Sequence, residues 1–282
     1  MGRGCTQVSG LIRNVALNKE PGDCRRLVLG GFAVMALTLF LIAPGTVASK
    51  AHVALHGLCA QRPSHSLQIG GTTLPMDARM TGIYLGAAAT FVWLMAARRL
   101  RAARTPSLPV VVLLASFVVA LAVDGFNALF FDLGLPTMYE PSNLIRMATG
   151  MLAGIALGLT LGHLFANSVW AHGDQKRAVV MNPVELLAPI GASAAIALLA
   201  LADLPVLYAP FAVGLVIAAV GVFWLLGIVL LAILSDRGWS CETWSDLVPL
   251  ALTSLIAAIV TVGAFSGLRF AAEQLFGLPR LT

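Results

Sequence analysis

Apolar runs about as long as a bilayer is thick recur along this chain, with short polar segments between them. A run of roughly 20 apolar residues crosses the hydrocarbon core as a helix, because a helix satisfies its own backbone hydrogen bonds where no water can. The runs are Leu27–Ala48, Met80–Ala97, Pro109–Phe131, Asn143–Asn167, Val184–Leu204, Phe211–Leu234 and Leu247–Phe270. They predict an all-α, polytopic integral membrane bundle of about seven transmembrane helices. Charged residues make up 11% of the chain, against about 25% in soluble domains, so a soluble globular class is excluded. The net charge of +5 does not point to nucleic acid, because the basic residues gather at the ends of apolar runs and report topology instead. The sequence holds no nucleic-acid, phosphate-loop or redox-cofactor motif. The partners expected are membrane lipids and a small-molecule ligand, with no cofactor and no nucleic acid; the oligomeric state is left open.

Three segments follow from this reading: a tail over residues 1–26, a first membrane half over 27–165 with a polar loop at 49–79, and a second half over 166–282 with three helices. The densest basic cluster, RRLRAAR at 98–104, belongs to a short loop, and short loops this basic stay in the cytoplasm. That orients the chain in the cell membrane with its N-terminus cytoplasmic, loop 49–79 external and C-terminus external. Trp93, Trp170, Trp239 and Trp244 then fall at inner span ends, and Tyr139 and Tyr208 at outer ones, where interfacial aromatics belong. Trp224, inside a span, has no place in this pattern. A cleaved signal peptide is the rival reading of the first run, with Arg25-Arg26 as its basic region and Thr46–Ser49 as its cleavage site. The run exceeds the usual length of about 7–15 residues, which favours a retained helix. The four cysteines, Cys5, Cys24, Cys59 and Cys241, form no CxxC pair. Only Cys59 falls outside, so no intrachain disulfide is expected.

The candidate site centres on His56–Gly86, where His, Cys, Gln, Arg, Asp and Pro crowd between two apolar runs. Asp124 lies roughly 10 Å below the nearer interface at 1.5 Å per residue, and Asn127 shares its face. A carboxylate at that depth marks a functional site and needs a partner; Arg79 and Arg146 enter from the same side. Gln61, Arg62, Asp77 and Asn143 complete the polar cluster. The competing reading is a structural ion pair that fixes helix register. Gly150, Gly154, Gly158 and Gly162 recur every fourth residue and share a helix face, as do Gly82 and Gly86, a spacing that lets helices approach closely. His56, Cys59 and His65, with His52, are weak metal-ligand candidates, since spacing on one short helix rarely closes a tetrahedral site. A Cys-His nucleophile pair lacks an orienting third group. His163, Glu185 and Asp203 sit at span ends and are expected to be solvated; Arg269 and Glu273 form an i,i+4 pair expected to be structural.

CAQRPSHS, LPMDARMTGIYLG, DGFN and SNLIRMATGMLAG, in that order, resemble the DUF2085 family of predicted membrane proteins over roughly residues 50–165. Many members carry Cys-His-Gln and then Cys-Ala-Arg-Cys before Thr-Gly-Ile-Tyr. Here Cys59, Gln61 and Arg79 match, while Ala60 replaces the His, and Asp77 and Met80 replace the later cysteines. Those departures argue against carrying over a metal or thiol role. The resemblance also covers Pro63, Ser66, Pro75, Gly82, Tyr84, Gly86, Asp124, Gly125, Asn143, Arg146 and Gly150, and it implies no activity.

Two functional classes follow. In the first, the protein binds or moves a small solute or lipid headgroup at an outer-leaflet pocket, with Arg79 and Arg146 meeting an anionic group and Asp124 balancing them. In the second, it is a membrane-embedded enzyme with Asp124 as base and His56 or His65 as proton partner. A structural subunit of a membrane complex is the third reading. The absence of a hydrolytic, phosphoryl-transfer or redox motif favours the first.

Overall fold

The computed structural model describes residues 44–234 and 241–277. In chain order these form α1 (Val47–Leu55), β1 (Ser66–Ile69), β2 (Thr72–Asp77), α2 (Ala78–Ala96), β3 (Ala102–Arg104), α3 (Leu108–Asp132), α4 (Asn143–Val169), β4 (Asp174–Ala178), α5 (Leu187–Leu201), α6 (Tyr208–Leu234) and α7 (Trp244–Leu275). Five stretches are long and apolar enough to cross a membrane: Leu108–Asp132, Asn143–Val169, Pro183–Leu201, Pro205–Leu234 and Trp244–Leu275. The 19-residue α2 packs among them, and its register matches the expected second span. Residues 27–43 of the expected first span, with Cys5, Cys24 and Trp239, lie outside the described residues. The bundle is helical, as its apolar runs require.

Two corrections apply between the spans. Residues 49–79 are not simply a loop: they hold most of α1, a 3-10 turn at Pro63–His65, and the antiparallel β1–β2 hairpin. Gly70 and Gly71 turn that hairpin at φ of 59° and 73°, the left-handed pair that a two-residue turn between twisted strands needs. At the other end β3 and β4 pair in parallel. Short strands arise here because a backbone leaving one span and returning toward the next must still find partners for its N–H and C=O groups.

The centre of the bundle is the seam between α2 and α4. A Cβ added at Gly82 would run into the carbonyl oxygen of Met147, one at Gly150 into that of Arg79, and one at Gly154 into that of Ile83. The two backbones therefore touch, and the four-residue glycine period is their contact face. Between lipid-soluble helices apolar side chains gain little by leaving lipid, so close packing of this kind is what holds the pair.

One end of the bundle gathers aromatic and basic groups. Arg101 lies 4.0 Å over the Trp170 ring, Trp170 meets Trp244 edge to face, and the Trp170 indole donates to Leu100 O at 2.9 Å. Glu185, expected to be solvated, instead accepts both arms of Arg99 at 2.6 and 2.9 Å, because the basic loop folds back across it. Trp224 also acquires a reason: its indole N–H donates to Ala251 O at 2.7 Å, tying α6 to α7. The opposite end carries the hairpin. Asp203 accepts from Gly70 N at 2.7 Å and Tyr208 donates to Thr73 O at 3.2 Å, so the hairpin is pinned to the α5–α6 turn.

Candidate functional site

A pocket of about 260 Å³ opens at the hairpin end, among residues 60–65, the first turns of α2 and α4, and the last turns of α3. The local sequence places its charges. Asp77 caps α2 through a bond from Met80 N at 2.8 Å, which puts Arg79 in the first helical turn facing α3. Arg79 Nη2 meets Asp124 Oδ2 at 2.6 Å, and Nε reaches the same oxygen at 3.2 Å. The other Asp124 oxygen accepts from Tyr139 OH at 3.0 Å. Asn127, one turn further on, accepts from Met138 N at 2.8 Å and donates to Tyr139 O at 2.9 Å; it holds the segment that carries Tyr139. Asp124 is 1% exposed and lies behind Arg79 rather than on the pocket wall.

Arg146 comes from the first turn of α4, whose cap is Ser142. It is 6% exposed and lines the pocket. Its Nη1 donates to Asn143 Oδ1 at 3.3 Å, and Asn143 in turn donates to Ser64 O and Ser66 O. No carboxylate of the described residues pairs with Arg146. The other charges on the wall are all engaged. Arg79 has Asp124, Arg62 has Asp132 at 3.5 Å, and Asp77 has the N-terminus of α2, which favours an anion. His65 stands 3.8 Å from Asp132. Its pKa is held below the usual imidazole range, first by burial and then by the charge of Arg146.

A second polar cluster lies apart from the pocket wall. His56, 3% exposed, bonds through Nδ1 to Gln61 Oε1 at 2.9 Å and through Nε2 to both oxygens of Glu273 at 3.0 Å. Gln61 spends its amide hydrogens on His52 O and Pro75 O, each at 2.9 Å. Arg269 donates to Glu273 at 2.9 Å, to His56 O at 2.6 Å and to Cys59 O. Phe270 stacks on the imidazole. The cluster locks the 56–61 turn onto α7.

The structure thus brings Arg62, Asp77, Arg79 and Arg146 to one pocket, with His65, stations Asp124 and Asn143 one bond behind them, and joins Asn127 to Asp124 only through Tyr139. It separates Gln61, which belongs with His56. The candidate metal ligands diverge: His52 bonds Thr73 O, His56 is enclosed by Gln61 and Glu273, and His65 faces Asp132. The Cys59 sulfur accepts from Gln61 N at 3.4 Å and Asp77 N at 3.2 Å. Among the described residues no group of three or more His, Cys, Asp or Glu is placed to hold a metal ion. Burial, and then the charge of Asp77, push the Cys59 thiol up to about 11 against those two backbone bonds. It is therefore a neutral thiol near pH 7, a poor nucleophile. Cys59 and Cys241 are both free and buried. Sequence reasoning missed Asp132, Tyr139 and the joining of Glu273 to His56. Asp132 and Tyr139 were visible as polar groups at span ends, whereas nothing local links Glu273 to a residue 217 positions away.

Residues 59–160 match the family model described as predicted membrane protein, DUF2085. This segment is similar to the DUF2085 family. All the charged groups of the pocket fall within it, while His56, Arg269 and Glu273 fall outside. Over 102 residues the chain is 29% identical to an uncharacterized protein of Methanothermobacter thermautotrophicus, a stretch covering 36% of this chain and 82% of that relative. No solved structure matches the chain.

Proposed function

We propose that this membrane protein binds a small anionic group, carried by a solute or a lipid, in the pocket at the hairpin end. The observation that supports the reading is Arg146: a guanidinium buried at the pocket wall whose protein partner is the neutral Asn143. A buried charge without a counter-charge is costly, and an anion in the pocket would supply it. Arg79, held by Asp124, is a second donor of fixed position, and such preorganisation lowers the cost of binding. Asp124 is a positioning residue in this scheme. Enclosed by Arg79 and Tyr139, it lacks the open approach a general base needs. The basic loop at 98–104 supports an orientation with the pocket on the outer side.

The test is a titration of the full chain, purified in uncharged detergent, with inorganic phosphate, acetate and phosphatidylglycerol. The tightest binder should lose at least tenfold in affinity on Arg146→Gln and retain most of it on Arg146→Lys. Wild-type affinity in Arg146→Gln for every anion that binds would overturn the reading.

A further inference from the structure

We infer that the anion is the headgroup of a lipid whose hydrocarbon chain lies along α3, so that the ligand reaches the pocket sideways from the membrane rather than from water. This rests on the anion-binding reading above and adds to it the class of molecule. The pocket has two chemically distinct walls. One is polar, with Arg62, His65, Asp77, Arg79, Asp132 and Arg146, its two carboxylates being taken up by Arg62 and by the N-terminus of α2. The other is the apolar face of α3 formed by Gly125, Ala128 and Leu129, residues spaced to share one side of a helix.

That apolar wall continues onto the membrane-facing surface. Leu129 lines the pocket and is still 48% exposed, next to the exposed Phe126 and Phe130, and α3 is the least buried of the five spans. The wall is also incompletely packed. A Cβ placed on Gly125 would meet no neighbouring heavy atom within 4 Å, whereas protein interiors are normally close-packed. Helices α2 and α3 are bridged by the Arg79–Asp124 pair but otherwise barely touch, α3 packing on α4 instead. The apolar side of the pocket is therefore bordered by α3 residues that also face the membrane. A water-soluble anion would use only the polar wall. A lipid with a phosphate or carboxylate headgroup would use both, and a pocket of about 260 Å³ suits the headgroup while the chain follows α3.

Native mass spectrometry of the full chain in uncharged detergent tests this, using phosphatidylglycerol, phosphatidylcholine and glycerol 3-phosphate as probes. Phosphatidylglycerol should be retained at one per chain, at least tenfold more tightly than either of the others. Gly125→Leu, at a position with open space on the apolar wall, should weaken phosphatidylglycerol at least tenfold and glycerol 3-phosphate by a smaller factor. Arg146→Gln should weaken both. Equal affinity for glycerol 3-phosphate and phosphatidylglycerol, with neither altered by Gly125→Leu, would overturn the lipid inference and leave the anion reading standing. Retention of phosphatidylglycerol by Arg146→Gln at wild-type strength would overturn both.

Discussion

Two buried charge clusters sit at the same end of this bundle and are finished differently. Around His56 every donor and acceptor is met from within: Gln61 and Glu273 take both imidazole nitrogens, and Arg269 ties Glu273 to the backbone of the 56–59 turn. Around Arg146 the protein stops short, offering a neutral amide and a pocket where a counter-charge would complete the set. A closed network fixes one arrangement, because losing any member strands a buried polar group. An open one keeps binding strength in reserve for a ligand. The same division follows the limits of the segment that matches the family model, since the open cluster lies wholly inside residues 59–160 and the closed one borrows Arg269 and Glu273 from α7.

The largest expected effect comes from breaking the pair that supports the open cluster. Asp124→Asn strands the Arg79 charge beside the pocket, and removing one partner of a buried pair typically costs about 3–5 kcal/mol. Adding Arg79→Gln should recover part of that loss, and a double-mutant cycle read by thermal unfolding in detergent measures the coupling. Strict additivity would mean the pair is not a unit. Glu273→Gln makes the corresponding cut in the closed cluster. It should destabilise as well, yet anion affinity per folded molecule should stay at the wild-type value. A loss of affinity there would merge the two clusters into one.

Both clusters depend on a rigid frame, and Gly154→Leu tests it. A leucine there would drive into the Ile83 carbonyl across the α2–α4 seam. Overpacking of this sort costs about 1–3 kcal/mol, visible as a lower unfolding temperature or less folded protein. Stability equal to that of an alanine substitution on the lipid-facing side of α3 would show that the seam is not the contact that positions Arg79 against α4.

How far the sequence could be read follows from what each feature depends on. The spans and the glycine seam were legible because hydrophobic length and a four-residue period are local properties. Pairing of Asp124 with one of two arginines was also legible, since a carboxylate at that depth must have a partner; the choice of Arg79 over Arg146 was not, because it depends on how α3 leans between two helix ends. The sheet pairs were missed because membrane composition masks the weaker signal of three- to six-residue strands. The Arg269–Glu273 pair was legible from its i,i+4 spacing, but the His56–Glu273 bond was missed because it joins residues far apart in the chain, and without it Gln61 was grouped with the pocket instead of with His56.

A smaller effect should separate stability from binding. Arg146→Gln removes a charge that has no protein counter-charge among the described residues, so unfolding stability should change by less than about 1 kcal/mol or rise. Anion affinity should fall at least tenfold, equivalent to about 1.4 kcal/mol. A destabilisation as large as that of Asp124→Asn would make Arg146 structural and erase the contrast between the clusters.

The smallest effect is the pH dependence of binding, and it reports the open cluster's electrostatics directly. Burial, then Arg146, hold the His65 pKa low; Arg62 pushes the same way, while Asp132 and Asp77 oppose them. An anion beside Arg146 offsets part of that repulsion, so the His65 pKa should be higher in the complex than in the free protein. A group that binds its proton more tightly in the complex makes binding stronger as pH falls through the interval between the two pKa values. With the free value below the model-peptide value of 6.5, affinity should rise a few-fold on the acid side of neutrality and level off below the free-state pKa. His65→Gln should flatten this profile without abolishing binding, because Arg146 remains. Measuring affinity at several pH values for both proteins checks the sign. An affinity that instead falls with acidification in the wild type, and does so equally in His65→Gln, would mean that protonation of the ligand governs binding, and that His65 does not sense the charge in the pocket.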